Sequence, residues 1–330
     1  MSTKIAVIGS NSFSGSDFID LLLGKGEYDV LGVSRSPEKN KIFLPYKRHK
    51  NPKFNFHRLD INKDTNKILN LFDRFRPAFI VNFAAQSEVA PSWDHPDHWF
   101  ETNVLALVRL MSQLYKKSYI KRYMHISSPE VYGSTLGETE EKSVLNPSTP
   151  YAASKAAADL FLFTLVKNFN FPLIMIRSTN VYGAHQQLFK IIPKSIINIK
   201  LDNKIELHGG GNAIKSYIHI RDVSRGELMA LEKGNVGEIY HLSPNRGIRV
   251  KNLVKLICEK MGVNFQKFTK NVSERQGQDS SYVIDSTKAR YKLGWKPEKS
   301  FDDGVDEVID WINSDWNQIK KMPLNYIHKK

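Results

Sequence analysis

Residues 4–8 form a short apolar run that breaks at Gly9 into the turn Gly9-Ser10-Asn11-Ser12-Phe13-Ser14-Gly15, after which residues 18–23 carry helical spacing. A strand that enters a glycine-bearing turn at the head of a helix constrains everything downstream, because the same alternation then repeats. Residues 28–33, 54–59, 79–83 and 123–126 read as further apolar strands, with amphipathic helices over 68–75 and 104–114. Nearly continuous apolar strands between amphipathic helices belong to a parallel sheet covered on both faces. The expected fold is therefore α/β, a Rossmann-type doubly wound parallel sheet.

The chain is long enough, at 330 residues, for one large domain or two. Past about residue 180 the signals become shorter and mixed, with Gly209-Gly210-Gly211 and several prolines as punctuation. We expect a dinucleotide-binding domain over 1–180 and a smaller substrate lobe over 181–330. Segments near 214–245 should return to the main sheet, since residues 239–242 read as another buried strand. The chain closes with an amphipathic helix over 301–312 and a basic tail.

Composition removes several function classes. Hydrophobic residues at 41% can build a core, which excludes wholesale disorder. The charge of +14 comes mostly from scattered lysine, with no Arg-rich helix or zinc knuckle, so a Lys-rich solvated surface is favoured over a nucleic-acid partner. Cys258 is the only cysteine, which forbids a disulfide framework and fits a cytoplasmic location. No apolar run approaches the ~20 residues of a membrane span, and the first residues lack the longer apolar stretch of a signal peptide. His125, His208 and His219 alternate with apolar residues and are read as core or supporting histidines, so no metal is expected.

The first turn presents free backbone N–H groups and the positive end of a helix dipole, both suited to a pyrophosphate. The second strand ends in Gly32-Val33-Ser34-Arg35-Ser36, without the acidic residue that would accept from an adenosine 2′-hydroxyl. Arg35 and Ser36 suit a 2′-phosphate, which favours NADP and leaves NAD open. Tyr151 and Lys155 stand four apart at the head of an Ala-rich helix, so phenol and ammonium share a face. A nearby cation favours phenolate, and we expect Lys155 to draw the Tyr151 phenol down toward general-base work. The fifth strand runs into Ser127-Ser128-Pro129-Glu130, at the carboxyl edge where ligands of such sheets bind. That places Ser128 to hydrogen-bond a substrate oxygen and Glu130 to exchange a proton.

Together these motifs resemble the extended short-chain dehydrogenases/reductases, and more narrowly the nucleotide-sugar 4,6-dehydratases. The likeness also includes Asp60-Ile61, Asn82 to Ser87, Thr102-Asn103-Val104, Arg177 to Gly183, Ser216 to Val223 and Arg275 to Asp279. It implies that Gly9, Asn11, Ser12, Phe13, Ser14, Gly15, Arg35, Ser36, Asp60, Ile61, Ala84, Ala85 and Gln86 hold the cofactor, with Tyr151 and Lys155. It implies Ser87, Glu88, Asn180, Leu188, Lys190, Lys215 and Arg275 for a nucleoside-diphosphate hexose, with His185, Gln186 and Gln187 in a loop over the nucleotide. The implied reaction is C4 oxidation, loss of water across C5 and C6, and hydride return to C6. Ser128, Glu130, Tyr151 and Lys155 are the implied catalytic residues. The sequence departs from the family at Ser12, at Pro129, which has no proton to give, and at Lys215 where the family has Arg. The remaining alternatives are a C4-epimerase, a nucleotide-uronate decarboxylase and a non-enzymatic NADP-binding regulator. A homodimer or dimer of dimers is implied, through helices over 97–117 and 151–168. The apolar face Val104, Leu107, Val108 and Met111 suits either that contact or packing on the sheet.

Overall fold

The computed structural model describes residues 2–50, 53–135, 138–244, 246–274 and 281–329. In chain order its main elements are β1 (Thr3–Ile8), α1 (Phe13–Lys25), β2 (Tyr28–Ser34), β3 (Phe54–Arg58), α2 (Thr65–Phe75), β4 (Phe79–Asn82), α3 (Ala106–Leu114), β5 (Arg122–Ile126), α4 (Pro150–Phe169), β6 (Leu173–Ser178), α5 (Ile191–Lys200), α6 (Ile220–Lys233), β7 (Glu238–Leu242), α7 (Val250–Lys260) and α8 (Phe301–Ser314). The seven strands form one parallel sheet in the order β7-β6-β5-β4-β1-β2-β3. Strand order reverses between β1 and β4, and this switch point opens the crevice at the carboxyl edge.

Alternation along β1 shows how the layers are held. Ile5 and Val7 face a core built by Phe18, Ile19 and Leu22 of α1 with Val223 and Leu228 of α6. Ala6 and Ile8 face the other core, with Ile68 and Phe72 of α2, Leu110 of α3 and Leu162 of α4. Both faces of the strand are dry, as the apolar run in the sequence requires. A third core, from α5, α7 and α8, is centred on Ile196, Val254, Ile257, Val308 and Ile312.

The two halves of the chain interleave. β7 returns to the edge of the main sheet beside β6, and α6 packs on α1. In the other direction Glu138–Thr139 leaves the first half to pair with Ser281–Ile284 in a small sheet.

Three features sharpen the sequence expectations. The helix expected over 104–114 is entered through a π-turn over Glu101–Leu105, which leads into α3. Leu107 and Met111 are fully buried against the sheet, so internal packing accounts for them, whereas Leu105 and Leu160 stay exposed at 46% and 61%. The basic tail packs on the protein: Met322 and Leu324 pack on the third core and the chain returns to the carboxyl edge of the main sheet.

Candidate active site

The turn after β1 is shaped by close backbone contact. Gly9 has φ +85°, and a Cβ there would lie 2.7 Å from the Ala84 nitrogen. A Cβ on Gly15 would lie 2.5 Å from the Gly9 carbonyl oxygen. Only glycine fits either position. Ser12 caps α1: its hydroxyl accepts from the Gly15 N–H at 2.9 Å. Phe13 is buried and Ser14 half-buried in the first turn of that helix. Asn11 joins the turn to the end of β2, its N–H donating to Ser34 Oγ (3.0 Å) and its amide to the Ser36 and Pro37 carbonyls (both 2.9 Å). That fixes the loop bearing Arg35 and Ser36. Asp60 accepts from the Asn62 N–H at 2.9 Å and Ile61 is buried. Ala84 donates its N–H to Asn82 Oδ1 (3.0 Å), and Ala85 leads to the buried Gln86.

Ser10 Oγ, Asn11 Oδ1, Asn62 Oδ1 and Arg35 Nη1 are buried around this edge without a hydrogen-bond partner. Buried polar atoms of this kind need a partner. A glycine cradle rimmed by such atoms fits a nicotinamide dinucleotide.

Tyr151 and Lys155 sit in the first two turns of α4, which Thr149 caps. The Tyr151 phenol lies above its ordinary value, because burial and the nearby Glu130 charge oppose ionisation. The Ser128 hydroxyl is the hydrogen-bond partner that favours the ionised form. The expectation that Lys155 lowers this phenol is not met: the ammonium donates to the Ile126 carbonyl (2.7 Å) and meets His125 Nε2 (3.3 Å). Burial brings Lys155 itself down to about 8, opposed by Asp159 and assisted by Arg177. Glu130 is half-buried one residue past Pro129, and its N–H donates to Ser128 Oγ at 3.2 Å.

A cleft of about 1000 Å³ opens in front of these groups. Glu130, Tyr151, Ser87 and Asn180 line it, and Lys190, Lys194, Lys204, Lys215 and Lys270 supply cations to its wall. Lys190 pairs with Glu88 at 2.7 Å. Leu188 turns its side chain into the third core, and Arg275 lies outside the described residues. His185 and Gln186, expected over the nucleotide, bond inward to the Ile42 and Val181 carbonyls (both 2.7 Å), because His185 takes φ +70° and packs on Trp311. His125 and His219 are buried, while His208 lines the cleft. Among the described residues no group of three His, Cys, Asp or Glu could hold a metal.

The family model for GDP-mannose 4,6 dehydratase matches residues 7–308. This chain belongs to that family. Among its relatives is the dTDP-glucose 4,6-dehydratase of Haemophilus influenzae, 29% identical over 93% of this chain and 97% of that one. A solved dTDP-glucose 4,6-dehydratase of Streptomyces venezuelae with NAD bound is 28% identical, with TM-score 0.89 over 96% of this chain and 98% of that one. The same scaffold appears in the UDP-glucose 4-epimerase of Thermotoga maritima, 26% identical with TM-score 0.86 over 95% and 100% of the two chains.

In this member of the GDP-mannose 4,6 dehydratase family, two positions that sequence reasoning gave no role hold the site together. Asn103, in the π-turn, accepts from the Gln86 N–H (2.8 Å) and donates to the Gln86 carbonyl (3.0 Å) and Ser154 Oγ (2.9 Å). It locks the loop after β4 to the helix bearing Tyr151. Asp159, one turn past Lys155, accepts from Arg177 (2.7 Å) and Ser127 (2.6 Å) in the dry interior. The spacing Lys155–Asp159 was a visible signal, but its partner Arg177 comes from β6 and is joined only by the fold.

Proposed function

We propose that this protein is a nucleoside-diphosphate-hexose 4,6-dehydratase, and the observation that carries the reading is Glu130 beside Tyr151 in a lysine-lined cleft. A nicotinamide dinucleotide, held by the Gly9–Gly15 turn and the rim of Arg35, Asn62 and Gln86, supplies the hydride acceptor and donor. Once ionised, Tyr151 takes the proton of the sugar 4-hydroxyl; the Ser128 hydroxyl is the hydrogen bond that favours this phenolate against burial and the Glu130 charge. Oxidation at C4 acidifies the C5 proton, and Glu130 removes it. The C6 hydroxyl then leaves as water on accepting a proton, and Glu130 is the group positioned to return one, since Pro129 has none. An epimerase on the same scaffold needs no base for C5, which is why Glu130 supports dehydration. The lysines along the cleft suit a diphosphate.

The test is incubation with hexoses carrying dTDP, UDP, GDP or CDP, followed by mass. Loss of one water with a 4-keto product is the expected outcome; interconversion of 4-epimers at constant mass, or release of carbon dioxide from a uronate, overturns it. For the cofactor, Arg35 and the two serines favour NADP over the NAD bound in the solved relative. Titration of both should find NADP tighter, and Arg35→Ala should erase the difference. The exposed Leu105 and Leu160 support a two-helix contact between copies, and Leu160→Glu should give a monomer by sedimentation.

A further inference from the structure

We propose that the C-terminal segment 324–329 is the outer wall of the dinucleotide groove and retains the cofactor between turnovers; this rests on the groove being a nicotinamide dinucleotide site. The Lys329 carbonyl accepts from Arg35 Nη2 at 3.1 Å and from Gln86 Nε2 at 2.7 Å. Arg35 follows β2 and Gln86 follows β4, and β1 lies between those strands. Two strand spacings separate β2 from β4, about 10 Å. A single oxygen bonded to both ends therefore bridges the carboxyl edge of β1, the edge at which the Gly9 turn begins.

The segment is anchored along its length. The Tyr326 ring meets Phe189 edge-on at 5.4 Å, beside the substrate cleft. His328 Nε2 lies 2.8 Å from His98 Nδ1, and the ring stacks on His95 and Trp99 at 5.0 and 5.2 Å. Tyr326 Oη reaches His328 Nδ1 at 3.2 Å. The segment thus ties the second lobe to the first across the crevice. Arg35 Nη1, on the same guanidinium, stays buried without a hydrogen-bond partner.

The chemistry gives such a wall a use. A dehydratase that takes a hydride at C4 and returns it at C6 ends each cycle with the cofactor it started with. Release is unnecessary, and escape of the reduced form would strand a 4-ketone that still carries its 6-hydroxyl.

The experiment loads the full chain, a chain ending at Pro323, and full chains carrying His328→Ala or His98→Ala with reduced dinucleotide. Release after dilution is followed by its fluorescence. We expect release about tenfold faster from the truncated chain and about threefold faster from the histidine variants. Unchanged or slower release from folded variants overturns the wall; slower release would make the segment a competitor of the cofactor. Should the truncated chain not fold, the two full-length histidine variants decide. If the unaltered chain retains neither NAD nor NADP, the dinucleotide reading falls with the wall; if it retains one and all variants match it, the wall alone falls.

Discussion

The two sides of the crevice are built by different means. On the cofactor side the shape is main-chain: Gly9 against Ala84, Gly15 against the Gly9 carbonyl, and a helix end capped by Ser12. On the substrate side it is side-chain: lysines, Glu88 and Asn180 reach in from segments far apart in sequence. Backbone contacts tolerate no added atom, whereas long charged side chains can rearrange around a ligand. Substitutions on the first side, and at the reacting groups between the two, should therefore abolish function, and those on the second should tune it.

The reacting groups give the largest effect. Tyr151→Phe removes the phenol beside Glu130 and should lower kcat about 10³-fold while cofactor binding persists. Glu130→Gln should block water loss to a similar degree yet allow C4 oxidation, seen as reduced dinucleotide accumulating on substrate addition. Equal loss of both half-steps in Glu130→Gln would remove it from the C5 role.

Gly9→Ala tests the backbone side against an internal control. Its φ of +85° alone costs about 1–3 kcal/mol for a residue with a Cβ, and the contact with Ala84 adds a clash. Gly262 has a similar φ of +67° with nothing within 4 Å of its Cβ. Gly262→Ala should lower the melting temperature and leave cofactor titration unchanged; Gly9→Ala should lose both. Retained binding in Gly9→Ala would break the claim that the cradle is rigid.

That division also explains what was legible in the sequence. The parallel sheet and the Gly9 turn depend on neighbours a few residues apart, so apolar runs and glycine spacing were enough to place them. The Tyr151–Lys155 spacing was equally visible, but not the environment: Glu130 and burial push the phenol up, and Lys155 turns to Ile126. Those contacts join α4 to the end of β5 and the loop after it. The tail was read only as basic charge, because its anchoring uses a backbone carbonyl and ring stacking, neither of which leaves a mark in composition. The inward turn of His185 follows from a positive φ in a residue other than glycine, which no local pattern announces.

The charge on Lys155 gives a pH test that separates the buried support from the exposed cleft. Its ammonium, brought down to about 8, is present below that pH and lost above it, so cofactor-saturated activity should fall through an alkaline limb near 8. Asp159 holds the value up and Arg177 presses it down. Asp159→Asn should therefore move the limb to lower pH. It should also cost about 3–5 kcal/mol of stability, because Arg177 is left buried without its counter-charge. A limb that stays in place while stability drops would restrict Asp159 to holding the fold.

The smallest effect belongs to the rim of the cleft. Lys190 and Glu88 pair at 2.7 Å, with side chains 36% and 17% exposed. An ion pair so open to water contributes about 1 kcal/mol at most. If Lys190 instead serves the substrate diphosphate, its bond to Glu88 must exchange for one to phosphate, and the net gain is the difference. Lys190→Ala should raise the substrate KM about fivefold, which corresponds to ~1 kcal/mol, with kcat little changed. Glu88→Gln frees the ammonium and should lower KM slightly. Opposite signs in KM place the pair in competition with substrate; the same sign in both would mean that the pair itself shapes the cleft, and the contrast between a rigid and an adaptable side would narrow there.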